Sequence, residues 1–387
     1  MAGETPNQAS SEKTEQVVAA VLHGIQDLRI EHRQLGFPEA SEVQVAVQST
    51  GLCGSDLHYF NHYRNGDIIV REPLTLGHES SGVVTAVGSS VTSLAVGDRV
   101  ALEVGIPCLE CDLCKTGRYN ICKALRFRSS AKSFPHFQGT LQGKINHPAA
   151  YCHKLPSNVS LTMGAILEPL GVAIHGLRRA ALPKSSTVLI FGAGAVGLLC
   201  AAMCKVYGAK HVIIADIQAE RVNFAVSNQF ADAKIVVPMK RPQAIGEKLS
   251  FAKEVAELVK GQAGGEEVDA VFECTGVESC LQAAIYSTRP AGRVMLIGMG
   301  SPIQTLPISA AALREIDLVG VFRYANTYEE AITLVSGGNP RLPDLSKLVT
   351  QIFTGFARIP DAFAMAGRVK DDDGSLVLKV VVDTTEN

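Results

Sequence analysis

Apolar and polar residues alternate in short runs through the first third of the chain. VVAAVL, LRIEHR and VQVAVQ, all within residues 17–47, have the two-residue period of strands in an antiparallel or barrel-like module. Residues 76–87 return to that period, GDRV at 97–100 reads as a turn into a further strand, and 149–155 read as another. Residues 51–55 break the pattern with a turn that presents Cys53, and a helical turn begins at 56–59. A helical period of any length first appears at residues 161–180. The first part is therefore mainly β, with inserted loops.

The pattern changes at residue 188. VLIF is a four-residue apolar strand, GAGAVG a turn, and the residues up to 209 a helix. HVIIAD, ending at Asp216, then AKIVV (233–237), DAVFECTG (269–276) and GRVMLIGMG (292–300) supply further strands, with helices such as 251–260 between them. Strand–helix repetition of this kind predicts a doubly wound parallel sheet. From about residue 318 the pattern is mixed again and ends in the strand-like SLVLKVVV. The expected organisation is α/β, with a polar lead at 1–16, a discontinuous mainly-β domain at 17–170 and 319–387, and a nucleotide-fold domain at 171–318.

Composition narrows this only slightly. The chain has 387 residues, enough for two domains, and is 47% hydrophobic and 19% charged, as globular proteins are. Its net charge of -2 gives no electrostatic footprint for nucleic acid or an anionic membrane. Residues 185–204 carry no charge and approach the length of a membrane span, but Gly192, Gly194 and Gly197 divide them into strand, turn and buried helix. The polar lead is no secretory signal, so the ten cysteines are expected as metal ligands or buried thiols in a cytosolic protein.

Candidate chemistry falls in three places. Cys53, in GLCGSDLH, and His78 and Glu79, in GHESSG, offer the sulfur, nitrogen and oxygen donors of a zinc site that keeps a position open for substrate. Cys108, Cys111, Cys114 and Cys122 form a C-x2-C-x2-C-x7-C array suited to a tetrahedral structural zinc. The third place is the G-x-G-x-x-G. Gly192 makes the turn, Gly194 admits a pyrophosphate at a helix N-terminus, and Gly197 lets helix meet strand. Asp216, about twenty residues on, accepts hydrogen bonds from ribose hydroxyls and repels a 2′-phosphate, which favours NAD over NADP. Arg221 lies five residues further, as a solvated or adenine-packing group.

Other residues have plainer expectations. Glu168, inside the apolar run GAILEPLGVAIHGL, needs either a buried base or a metal. His175 is expected in a core or helix-surface role, Cys274 and Cys280 as buried small residues, and 127–144 as a loop over the substrate mouth.

GLCGSDLHYF, LGHESSGVV, GDRVALE, the four-cysteine array, EPLGVAIH, GAGAVG and GVFRY together resemble the zinc-dependent medium-chain alcohol dehydrogenases, and within them the sorbitol, xylitol and arabinitol dehydrogenases. The likeness runs from about residue 17 to 382. It implies a GroES-like catalytic domain, a Rossmann domain, an active-site zinc between them, oxidation of a small-molecule polyol, and a homotetramer. A secondary alcohol that is not a polyol is the alternative substrate. On this resemblance Cys53 and His78 match zinc ligands, and Glu79 and Glu168 the two acids at that metal, with the direct ligand left open between them. Asp56 matches the acid that orients the histidine, Ser55 and His58 a proton relay, and Tyr59, Arg323 and Tyr324 the substrate pocket. The sequence departs from the pattern at Gln138, where an acid commonly precedes G-x-L, and at Phe134–Phe137.

Overall fold

The computed structural model describes residues 14–385, so residues 1–13 of the expected polar lead lie outside the described residues. The strands read from alternation are present. Glu15–Gly24 and Asp27–Leu35 form a hairpin, and Leu74–Thr75 adds to its other edge. The larger sheet of this part has seven strands. Cys152–Lys154, Arg99–Leu102, Glu79–Val87, Glu42–Gly51, Lys379–Asp383 and Val349–Thr354 follow in that spatial order, and Lys144–Pro148 also pairs with Glu42–Gly51. The last two strands of the path come from the C-terminal segment, so the mainly-β part closes only when the chain end returns to it. Of the expected strand at 149–155, only Cys152–Lys154 pairs; a short 3-10 turn precedes it.

The second part is a six-stranded parallel sheet in the order Ala233–Val236, His211–Asp216, Thr187–Phe191, Val268–Glu273, Thr288–Leu296, Asp317–Gly320. Numbered within the sheet this is 3-2-1-4-5-6, the order that binds dinucleotides where it reverses. At that reversal Thr187–Phe191 lies between Val268–Glu273 and His211–Asp216. Val188, Leu189, Ile190 and Phe191 are all buried, as a strand covered on both faces requires. The sheet extends to Gly320, two residues past the expected boundary.

One helix ties the two parts together. Leu161–Ala180 matches the sequence reading residue for residue, starts on a Ser160 side chain that accepts from the Met163 N–H, and runs through residue 170. Its apolar residues Ile166, Leu167, Leu170, Ala173 and Ile174 share one core with Leu198, Cys200 and Met203 of the helix Ala195–Val206. Among the described residues no helix is long and apolar enough to cross a membrane.

The turn after Thr187–Phe191 shows why two glycines stand there. Gly192 has φ +94°, in the left-handed region. A Cβ at Gly197 would sit 1.8 Å from the Gly192 carbonyl oxygen, so the helix can approach only without one. Gly197→Ala is expected to cost about 1–3 kcal/mol by overpacking; urea denaturation checks it, and a loss under half a kcal/mol contradicts the close approach.

Candidate metal and dinucleotide site

Strand register explains how residues far apart in sequence meet. Gly51, the last residue of its strand, pairs with Glu79, the first of the next, and Val381 pairs with Gly51 from the other side. The loop carrying Cys53, the turn carrying His78 and the strand carrying Lys379 therefore converge at one end of one sheet. Glu79 leans over Gly51 so closely that a Cβ there would lie 2.4 Å from its Oε2.

Sγ of Cys53, a ring nitrogen of His78 and a carboxylate oxygen of Glu79 lie within 4.8 Å of one another. The donors are soft sulfur, imidazole and carboxylate, a set that suits zinc and leaves a coordination position free. Asp56 fixes their framework. Its Oδ2 accepts from the Cys53 N–H at 3.1 Å, which starts the helix Gly54–His62, and its Oδ1 accepts from the Gly77 N–H at 3.1 Å and from Ser129 Oγ at 2.8 Å. The same Oδ1 faces His78 Nδ1 at 3.3 Å. Burial pushes the Asp56 carboxyl up, but the facing imidazole and the Gly77 and Ser129 hydrogen bonds outweigh it and hold it below the usual range. An acid on the far nitrogen of a ligating histidine is what a zinc site needs.

Glu168 stands outside that three-donor cluster. It is buried, and burial pushes its carboxyl up to about 7, against the pull of His78, Arg323 and Lys379. Glu79 has a direct counter-ion that the sequence reading missed. Lys379 Nζ reaches Glu79 Oε1 at 2.9 Å and Oε2 at 2.7 Å, and also Leu52 O at 3.1 Å. Both side chains are almost wholly buried. Burial opposes the Lys379 charge, yet Glu79 keeps its pKa above the ordinary value. The signal was available: Lys379 is a lone cation inside LVLKVVV, the same anomaly that singled out Glu168.

The proton-relay and pocket residues are placed unevenly. Ser55 and His58 lie on the helix Gly54–His62, Ser55 half-buried and His58 exposed. Tyr59 is buried in the apolar core, with its Oη accepting from the Ala131 N–H at 3.3 Å. Tyr324 is buried too, tilted against Tyr328. Of these three only Arg323 is partly exposed. Its guanidinium lies 3.3 Å over the Phe127 ring, whose centroid is 5.6 Å from that of His78, and burial brings its pKa down to about 10. Gln138 is engaged within the protein: Oε1 accepts from Thr75 N–H at 2.8 Å and Arg33 Nη1 at 2.7 Å. Residues 128–143 are irregular, as expected, but Arg128, Ser129, Ser130, Thr140 and Leu141 are buried, and Ser129 backs the site through Asp56.

The four cysteines also assemble. Sγ–Sγ separations are 3.9 Å for Cys108–Cys114, 3.5 Å for Cys111–Cys114 and 3.5 Å for Cys108–Cys122. A tetrahedron with metal–sulfur bonds of about 2.3 Å has edges of about 3.8 Å. The N–H groups of Glu110 and Cys111 bring the Cys108 thiol down to about 6, toward the thiolate a metal requires. The helix Asp112–Lys115 buries no side chain, so apolar packing does not hold this lobe. His175 faces the lobe, 3.4 Å from Asn120 Nδ2, and burial takes its pKa down to about 4.

At the parallel sheet, Asp216 Oδ2 accepts from the Ala193 N–H at 2.8 Å, which joins the acid to the glycine turn. Arg221 reaches the same turn: its Nη1 is 4.0 Å from where a Gly194 Cβ would stand, and its buried Nε has no partner among the described residues. That places the guanidinium beside the glycine turn. Cys274 is half-buried with its Sγ 3.9 Å from the fully buried Cys200, and Cys280 is half-buried.

Residues 39–157 match the alcohol dehydrogenase GroES-like domain family, and residues 195–337 the zinc-binding dehydrogenase family. The probable D-xylulose reductase A of Emericella nidulans is 38% identical over 368 residues, 95% of this chain and 97% of that one. The chain belongs to the zinc-dependent medium-chain alcohol dehydrogenases. Sorbitol dehydrogenase of Arabidopsis thaliana is 38% identical over 96% of each chain, and that of Gallus gallus 40% identical over 88% of this dehydrogenase and 90% of the relative. Among solved structures, 2R,3R-butanediol dehydrogenase of Bacillus subtilis superposes with a TM-score of 0.78 at 27% identity, covering 95% and 100% of the two chains. A dehydrogenase of unknown specificity from Escherichia coli reaches a TM-score of 0.84 at 28% identity, covering 96% and 100%.

Removing one member of a buried ion pair strands the other. Lys379→Met is therefore expected to lower stability by about 3–5 kcal/mol, and Glu79→Leu in the same chain to restore part of it. Denaturant titration of the single and double variants measures both, and additive losses contradict the pair.

Proposed function

We propose that this dehydrogenase oxidises a secondary hydroxyl of a polyol of the sorbitol, xylitol or arabinitol type to a ketose, with NAD as hydride acceptor. The observation that carries the reading is the Cys53–His78–Glu79 donor cluster with Asp56 behind it. The relatives named as sorbitol dehydrogenases and D-xylulose reductases, 38–40% identical over most of the chain, support the substrate class and weigh against a secondary alcohol that is not a polyol.

Each role falls to a named group. Cys53 and His78 hold the catalytic zinc, with Glu79 as the third ligand. Glu168, beside the cluster, is the acid that reaches the metal only in some states. When bound, the zinc lowers the pKa of the substrate hydroxyl and the nicotinamide takes up the hydride. The hydroxyl proton passes to Ser55 Oγ and on to the His58 ring, whose exposure lets it deliver the proton to solvent. Arg323 reads the substrate's other hydroxyls, while Tyr59 and Tyr324 form the wall behind it. Gly192, Gly194 and Gly197 admit the pyrophosphate, Arg221 pairs with it, and Asp216 holds the ribose hydroxyls. The four cysteines hold a second, structural zinc. We also assign the enzyme to the cytoplasm and, as the family resemblance implies, to a homotetramer.

Cys53→Ser is expected to lower xylitol oxidation at least about a thousandfold, since it removes the metal's sulfur donor, while NADH still binds by fluorescence titration. Zinc per chain should fall by one of two. Full turnover in the metal-stripped protein contradicts the mechanism. Asp216→Ala is expected to lose about tenfold or more of the NAD-over-NADP preference in kcat/KM, the size of a charge-assisted hydrogen bond; an unchanged ratio contradicts the nucleotide assignment.

A further inference from the structure

The segment that carries Arg323 does not hold its own shape. Arg323 has φ +51° and Asn326 φ +56°, both left-handed without being glycine, and at Arg323 that conformation is one that needs outside support. Much of that support comes from the four-cysteine lobe, from the stretch between its third and fourth cysteines. Asn120 Nδ2 donates to the Phe322 carbonyl at 2.7 Å, the Asn326 N–H donates to Tyr119 Oη at 2.7 Å, and Asn326 Nδ2 donates to the Gly117 carbonyl at 2.9 Å. Tyr119 is itself anchored, its Oη donating to the buried Glu103 carboxylate at 2.6 Å. From the other side Arg178 Nη1 donates to the Asn326 carbonyl at 2.8 Å.

We infer that Asn120 and Tyr119 are positioning residues for substrate recognition: through the backbone at 322–326 they aim the Arg323 guanidinium across Phe127 toward the metal cluster. The four-cysteine lobe is then more than a brace. It holds a partly exposed cation that faces the proposed polyol, and so sets the preference for polyols over alcohols with a single hydroxyl. Asn120 is suited to this role because it is 5% exposed and sits two residues before Cys122, where the lobe's own closure fixes it. This inference rests on the proposed polyol substrate and on Arg323 reading its hydroxyls.

The test compares xylitol with 2-butanol, which has no second hydroxyl for Arg323 to read, in the zinc-loaded enzyme with NAD. Asn120→Ala is expected to lower kcat/KM for xylitol about tenfold to a hundredfold, mainly through KM, as misplacement of a binding group by about 1 Å does. For 2-butanol it should stay within about twofold, with NADH affinity and zinc content unchanged. Added to Arg323→Ala, the same substitution should cost nothing further, because it acts through that residue. Where Asn120→Ala loses zinc, Tyr119→Phe is read in its place, with the same split expected. Equal losses for both alcohols, no loss for xylitol, or additive losses in the double variant overturn the inference. An unmodified enzyme that oxidises 2-butanol and no polyol overturns the substrate reading itself, before any variant is made.

Discussion

One buried carboxylate organises the metal site. Asp56 accepts from the backbone just before its own helix, from the turn ahead of His78 and from Ser129, and it faces the His78 ring. Three chain segments that share no local sequence are thereby held in one arrangement. A carboxylate with no exposed surface is costly unless each lone pair is used, and here two of the donors that use them, the Cys53 and Gly77 N–H groups, belong to the loops that present the ligands. The cost of burying Asp56 and the geometry of the site are the same fact. The neighbouring Glu79–Lys379 pair works alike: a charge that cannot leave the sheet end is met by one from the returning C-terminal strand.

These pairings explain why the fold has two parts and one site. The catalytic sheet is complete only when the C-terminal segment returns, and that return brings Lys379 to the metal cluster and Arg323 toward Phe127. The helix Leu161–Ala180 carries Glu168 on its first half and packs its second half on the dinucleotide fold, so a single rigid element spans the junction. Positions for chemistry are thus fixed by sheet register and helix packing, and loops only carry the ligands.

Much of this was legible in the chain itself. Alternation gave the antiparallel strands, a helical period gave Leu161–Ala180 to the residue, and strand–turn–helix repetition gave a doubly wound parallel sheet, though not its strand order or its last strand, Asp317–Gly320. The glycine turn and the four cysteines were readable because their spacings carry a mechanism. What stayed hidden depended on pairing across long sequence distances. Lys379 meets Glu79 across 300 residues, Ser129 meets Asp56 across 73, and Asn120 meets Phe322 across 202. The burial of Tyr59 and Tyr324 was also hidden, because an aromatic next to a site motif has no signature of burial. Gln138, where the sequence departs from the family pattern, accepts from the Thr75 backbone, a pairing across 63 residues that no sequence pattern displays.

Everything turns on a metal held by residues brought together at the end of one sheet. Anomalous diffraction from crystals at the zinc absorption edge tests this most directly. The account predicts two peaks per chain, one among Cys108, Cys111, Cys114 and Cys122, the other at about 2.3 Å from Cys53 Sγ and about 2.0–2.1 Å from a His78 ring nitrogen. A zinc-replete crystal with a peak at the four cysteines alone, and none between Cys53 and His78, contradicts it.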